Sequence, residues 1–340
     1  FLQLQIPLSR QLQSAPMKNS LSHEIQCDSY SNHKNNNIMI TTFNDLFADL
    51  KAKNISKRMV AAWAVDEHTI EAAAKAVDLG IVTVTLTGDA DIIASVCKDN
   101  GIDIEKFTIV DIKDELKAVA EAVRMVHDGE GDLLMKGLCS TDKFLRAILN
   151  KETGLLPPKG LLSHVGVIEN PLYHKLIFIT DMAVIPQPDF RQKVKLAGFV
   201  TSVARSFGIA KPKIAFVAAS EQMLDSMQAC MDAAMLAKMA DRGQIKGCIG
   251  DGPLALDVAI DKESVEIKKL VSPVAGDADC LLFPNIESAN VFWKTNSKLA
   301  GGVRQAGMLV GTKVPCVLAS RADTVDTKLN SIAEAVMFVK

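Results

Sequence analysis

One pattern constrains this chain more than any other. Short runs that are apolar along their whole length alternate with amphipathic stretches. RMVAAWAV (58–65) precedes DEHTIEAAAKAVDLG (66–80), which has helical spacing and stops at Gly80. IVTVTLTGD (81–89), DLLMKG (132–137), KLIFITD (175–181), KIAFVAAS (213–220), ADCLLFPN (278–285) and VPCVLAS (314–320) repeat the theme. A strand with one wet face alternates apolar and polar residues. These runs do not, so they read as strands covered on both faces, as in a mostly parallel sheet with helices on either side. The predicted class is α/β, doubly wound.

Composition removes several alternatives. With 340 residues, 48% of them hydrophobic, the chain can build a large core, and its length suggests about two domains. A formal net charge of −2 offers no basic field for nucleic acid. An anionic ligand must therefore be held by a few placed cations and backbone N–H groups. No apolar run approaches the ~20 residues of a membrane helix. Cys27, Cys97, Cys139, Cys230, Cys248, Cys280 and Cys316 are scattered, with no C-x-x-C pair. They read as thiols of a cytoplasmic protein, neither a disulfide framework nor a zinc site. Cys139, at a strand end, reads either as a buried thiol or as a residue touching substrate. Residues 1–38 are rich in Asn, Gln and Ser and lack a sustained period; they read as disordered, or as sequence upstream of a start at Met39.

The usual site signatures are missing. There is no G-x-x-x-x-G-K-[ST], and GEGDLL (129–134) fails the G-x-G-x-x-G pattern at its third glycine. No G-x-S-x-G elbow and no metal-binding His spacing occur. GCIGDGPLALDVAI (247–260) reads as a strand-to-helix turn or as a loop bordering a ligand.

Open α/β sheets bind ligands beyond the carboxyl ends of their strands. That directs attention to Gly88-Asp89, Lys136-Gly137, Thr180-Asp181, Ser220, Pro284-Asn285 and Ser320-Arg321. In KGLCSTDKFLRAIL (136–149), Ser140 or Thr141 is placed to cap a helix. Arg146 then has two readings: an i,i+4 pair with Asp142, or an anion ligand. In SRAD (320–323), Asp323 reads as a cap with Arg321 solvated, or the guanidinium and the helix N-terminus converge on a phosphate.

The strings DGPLALDVAI (251–260), SPVAGDADCLLFPNIESANVFWK (272–294), GMLVGTKVPCVLASRAD (307–323) and KGLCSTDKFLRAIL (136–149) resemble the phosphate acyltransferases. The resemblance runs from about residue 42 to the C-terminus and is nearer to the butyryl than to the acetyl branch. It implies reversible acyl transfer between CoA and phosphate, with acyl-CoA and phosphate as substrates and no permanently bound cofactor or metal. It also implies a two-domain fold like that of the isocitrate/isopropylmalate dehydrogenases, with the site in an interdomain cleft. The expected domains are 39–157 plus 308–340, and 158–307. Ser320, Arg321 and Arg146 match family motif positions. The general-base aspartate of the acetyl enzymes falls on Thr327, so Asp326, one residue earlier, is the expected substitute. Ser140, Thr141, Asp323, Asn290 and Lys294 are expected to contact substrate. The enzyme is expected to be a homo-oligomer, at least a dimer, without nucleic-acid or membrane partners. The competing reading is an NAD-dependent decarboxylating dehydrogenase on the related fold, which needs metal-binding aspartates and a nucleotide loop.

Overall fold

The computed structural model describes residues 39–320 and 323–339; the readings placed on residues 1–38 and on Arg321 lie outside them. In chain order the elements are α1 (Phe43–Ala52), β1 (Lys57–Ala62), α2 (Glu67–Asp78), β2 (Val82–Gly88), α3 (Ala90–Asp99), β3 (Phe107–Asp111), α4 (Glu115–His127), β4 (Leu133–Lys136) and α5 (Thr141–Ile148). There follow β5 (Ser163–Glu169), β6 (Ile177–Thr180), α6 (Phe190–Ser206), β7 (Lys213–Val217), α7 (Gln228–Asp241), β8 (Ile249–Leu254), α8 (Leu256–Ile260), α9 (Lys262–Lys268), β9 (Cys280–Leu282), α10 (Ile286–Leu299), β10 (Arg304–Val310), β11 (Cys316–Val317) and α11 (Val325–Phe338).

The strands form one sheet in the order β3-β2-β1-β4-β11-β10-β5-β6-β9-β7-β8. The outer pairs are parallel, as β1 with β2 and β4, and β7 with β8 and β9. The centre is antiparallel: β10 pairs with β11 and with β5, and β5 with β6. The fully apolar runs behave as expected; β1, β4 and β6 are buried along most of their length. The sheet is continuous across the middle of the chain. The boundary expected between 307 and 308 falls inside β10, because GMLV simply continues that buried strand. Among the described residues no helix is long and apolar enough to cross a membrane.

The helix starts follow the capping chemistry of the sequence. Asp66 accepts from the Thr69 N–H at 3.0 Å to open α2, and Asn285 accepts from Ser288 at 3.0 Å to open α10. GCIGDGPLALDVAI becomes strand then helix, β8 followed by α8. The last helix, α11, differs from the others. It packs against α1, α2 and β10, and Lys328, Asn330, Ser331 and Glu334 are buried along with its apolar residues.

Candidate functional site

Strand β4 ends on a lysine. Lys136 is only 2% exposed, and its ammonium donates to the Gly137 carbonyl at 3.1 Å. Burying an ammonium is costly unless it is hydrogen-bonded, and this one sits at a strand end beside a cavity. Gly137 is required at the turn. It donates to the Ala62 carbonyl at 2.9 Å, and a methyl on it would run into the backbone of Trp63. The chain then enters α5, where the Ser140 hydroxyl accepts from the Lys143 N–H at 3.3 Å. Lys136, Ser140 and Thr141 together form one wall of a cavity of about 580 Å³.

The residues just past strand β11, Leu318, Ala319 and Ser320, supply the second wall. The Ser320 N–H donates to Oδ2 of Asp323 at 2.6 Å, closing a turn ahead of α11. Thr324 caps that helix by accepting from the Thr327 N–H at 3.2 Å. Thr327 and Ser331, one turn apart, face the cavity. Ser331 also accepts from the Gly307 N–H at 2.9 Å, tying α11 to β10 beneath the site. Behind this wall lies Lys328. Burial pushes its ammonium down, while the negative charges of Asp66 and Asp323 oppose that shift.

The third wall comes from the antiparallel centre and α10: His164, Met182, Ala183, Asn290, Trp293 and Lys294. Asn290 donates to the Met182 carbonyl at 2.9 Å. Nδ1 of His164 lies 2.9 Å from Sδ of Met182, and the ring is hydrogen-bonded to the Leu318 backbone. Burial holds the His164 imidazole below its ordinary value; the charges of Asp181 and Asp323 and the Leu318 contact pull the other way. The balance favours the neutral imidazole.

Six of the residues expected from the sequence therefore line one cavity: Ser140, Thr141, Asn290, Lys294, Ser320 and Asp323. Two do not. Asp326 is exposed and outside the lining; helical register puts each residue about 100° from the next, so the inward position is Thr327 and its neighbour turns out. Arg146 also stays outside the lining: its Nε donates to Asp142 at 3.1 Å, and the side chain is 80% exposed. Cys139 is buried and absent from the lining, its Sγ 3.9 Å from the Ala62 carbonyl. His164 and Trp293 also line it and were not among the expected positions; Lys136, marked as a strand-end residue, and Thr327, the position matching the family aspartate, line it too. For Lys136 a signal existed, an apolar strand ending in a cation. For His164 none did, because it stands far from Ser320 along the chain and only strand pairing joins them.

The cavity thus joins two helix N-termini, the buried Lys136 and the exposed Lys294 with the apolar side chains of Met182, Ala183 and Trp293. Comparison with known proteins says which family the chain belongs to. The phosphate acetyl/butaryl transferase family matches residues 113–336. A phosphate butyryltransferase of Clostridium acetobutylicum is 44% identical over 299 residues, 88% of this chain and 98% of that protein. The chain belongs to the phosphate acetyl/butaryl transferase family. A phosphate acetyltransferase of Thermotoga maritima is 37% identical, over 84% of this chain and 97% of its own length. Among solved structures, a branched-chain phosphotransacylase from Enterococcus faecalis superposes with a TM-score of 0.74 at 28% identity, covering 83% of this chain and 98% of that one. A phosphotransacetylase from Streptococcus pyogenes shares the fold, with a TM-score of 0.72 at 19% identity over 87% of this chain and 98% of its own. Family membership makes this chain a transferase with an α/β fold built on a large, mostly parallel sheet.

Proposed function

We propose that this phosphate acyltransferase is a phosphate butyryltransferase, converting butanoyl-CoA and phosphate reversibly to butanoyl phosphate and CoA. The observation that carries the reading is the cavity's division of labour. Lys136 and residues at the N-termini of α5 and α11 line the same cavity as the apolar side chains of Met182, Ala183 and Trp293. The 44% identical relative supports the butyryl assignment. Relatives named as acetyltransferases match at up to 37% among those compared above, so a broader short-chain preference is the second reading.

Transfer is direct, within a ternary complex. In the direction that makes acyl-CoA, the CoA thiol gives its proton to the Asp323 carboxylate. The sulfur attacks the acyl phosphate carbonyl carbon, and the bond between that carbon and the bridging phosphate oxygen breaks to release phosphate. A free thiol has a pKa near about 8.5, so a placed base raises the reactive thiolate at neutral pH. Ser320 offers a hydroxyl donor beside Asp323. Lys136 and Arg321 hold the phosphoryl oxygens. Arg146 joins them by exchanging Asp142 for phosphate, at little cost because exposed ion pairs are worth about 0–1 kcal/mol. Lys294 and Asn290 contact CoA or the acyl group, and Thr141 and Ser140 the phosphate.

In this reading CoA and phosphate come and go as substrates, and no cofactor resides in the site. The enzyme works in the cytoplasm as a homo-oligomer, at least a dimer. Residues 39–157 with 308–340, and 158–307, act as two lobes, akin to those of the isocitrate/isopropylmalate dehydrogenases, that close on the substrates. The test is thiol release from acetyl-, propionyl-, butyryl- and isobutyryl-CoA, with and without phosphate. Phosphate-dependent release that is fastest with a four-carbon thioester supports the reading; release that ignores phosphate removes it.

A further inference from the structure

The acyl-transfer chemistry leaves the apolar residues of the third wall without an assigned task. Met182 and Trp293 line it, packed onto the centre of the sheet. Strand register sets Gly166 of β5 opposite Gly307 of β10 on the same face. A methyl on Gly166 would stand 2.7 Å from Cζ3 of Trp293 and would collide with the end of Met182. A methyl on Gly307 would stand 2.5 Å from Cε1 of His164. Two facing glycines therefore let three side chains settle directly on backbone, and the cavity gains depth there.

The wall is also anchored. Gln305 of β10 donates to the Trp293 carbonyl at 3.0 Å, and Asn290 of α10 donates to the Met182 carbonyl at 2.9 Å. The backbone behind both side chains is thus fixed to neighbouring elements. An apolar stop on a fixed backbone has the form of a ruler for the tail of a short saturated acyl group.

We propose that Met182 and Trp293, seated on Gly166, set the acyl chain length that this enzyme accepts. The proposal rests on the acyltransferase reading. The acyl carbonyl lies toward Ser320 and Asp323, and the tail points at the indole and the thioether. Widening the stop admits longer chains; raising the floor under it excludes them.

The experiment measures phosphate-dependent thiol release from acetyl-, butyryl- and hexanoyl-CoA by the full chain and its variants. Ratios of kcat/KM are taken within each preparation, so that any loss of folded enzyme cancels. Trp293→Ala and Met182→Ala are expected to raise the hexanoyl-to-butyryl ratio by at least about tenfold. Gly166→Ala is expected to raise the acetyl-to-butyryl ratio by a similar factor, since the flexible end of Met182 yields into the cavity. Val291→Ala, on the exposed face of α10, controls for general disturbance of that helix and is expected to leave both ratios alone. Calorimetric binding of the same thioesters without phosphate supplies the ratios for any variant that no longer turns over. Ratios that stay within about threefold of the parent in all three cavity variants overturn the proposal. A parent enzyme that releases no thiol with phosphate from any of the three sinks the acyltransferase reading instead, so the two failures are distinct.

Discussion

Ser320 and Asp323 are joined across the last strand-to-helix turn: the serine N–H donates to the aspartate Oδ2 at 2.6 Å. The carboxylate thereby fixes the turn and faces the cavity at the same time. Asp323→Asn keeps an oxygen acceptor but cannot take a proton from a thiol. Activity in the acyl-CoA-forming direction is expected to fall about 10²-fold or more near neutral pH. The deficit shrinks as pH rises past the thiol's own pKa, because CoA then ionises unaided. A pH–rate profile parallel to that of the parent would mean that Asp323 only holds the turn.

Lys136 is the cation most enclosed by the cavity wall. Lys136→Met keeps much of the side chain's length and apolar bulk and removes its charge. Hydrogen bonds to charged groups contribute about 1.5–3 kcal/mol, so the phosphate KM is expected to rise roughly 10- to 100-fold. The acyl-CoA KM should move far less. Saturation kinetics with phosphate varied at fixed butyryl-CoA check this, and an unchanged phosphate KM would leave the lysine as part of the fold only.

Arg146 and Asp142 provide a discriminating pair. Both side chains are largely exposed, at 80% and 67%, so breaking their contact should change stability by less than about 1 kcal/mol. Arg146→Ala is expected to raise the phosphate KM several-fold, whereas Asp142→Ala should not raise it, since it removes the arginine's competing partner. Equal and negligible effects of the two changes would reduce the pair to surface decoration.

The sequence was readable where chemistry is local. Apolar runs buried on both faces announced β1, β4 and β6, and the polar residues just past β4 and β11 led to Ser140, Thr141, Ser320 and Asp323. β5 and β10 were harder to see. SHVGVIE and RQAGMLV carry polar residues and a glycine within the strand, and their burial comes from antiparallel pairing with each other at the centre of the sheet. His164 and Gly307 enter the cavity only through that pairing, which leaves no mark on sequence spacing. The placement of Asp326 outside the lining has a different origin. One residue of slip is small along the chain but turns a helical side chain by about 100°, from cavity to solvent.

Glu334 shows how the same buried helix should respond to pH. It is wholly buried in α11, and neither carboxyl oxygen has a hydrogen-bond partner among the described residues. Burial raises its pKa well above the ordinary 4.5. The folded state thus holds a proton that the unfolded chain has released, and stability is lost as pH climbs from 4.5 toward the folded-state value. Glu334→Gln cannot titrate, so its melting temperature should vary less with pH than that of the parent over this range. Glu334→Met also removes two unpartnered oxygens, and should stabilise the protein at neutral pH by about 1–3 kcal/mol. Thermal unfolding of the three proteins across a pH series checks both expectations. A parallel pH dependence in the parent and the glutamine variant would show that Glu334 is not the group that takes up the proton.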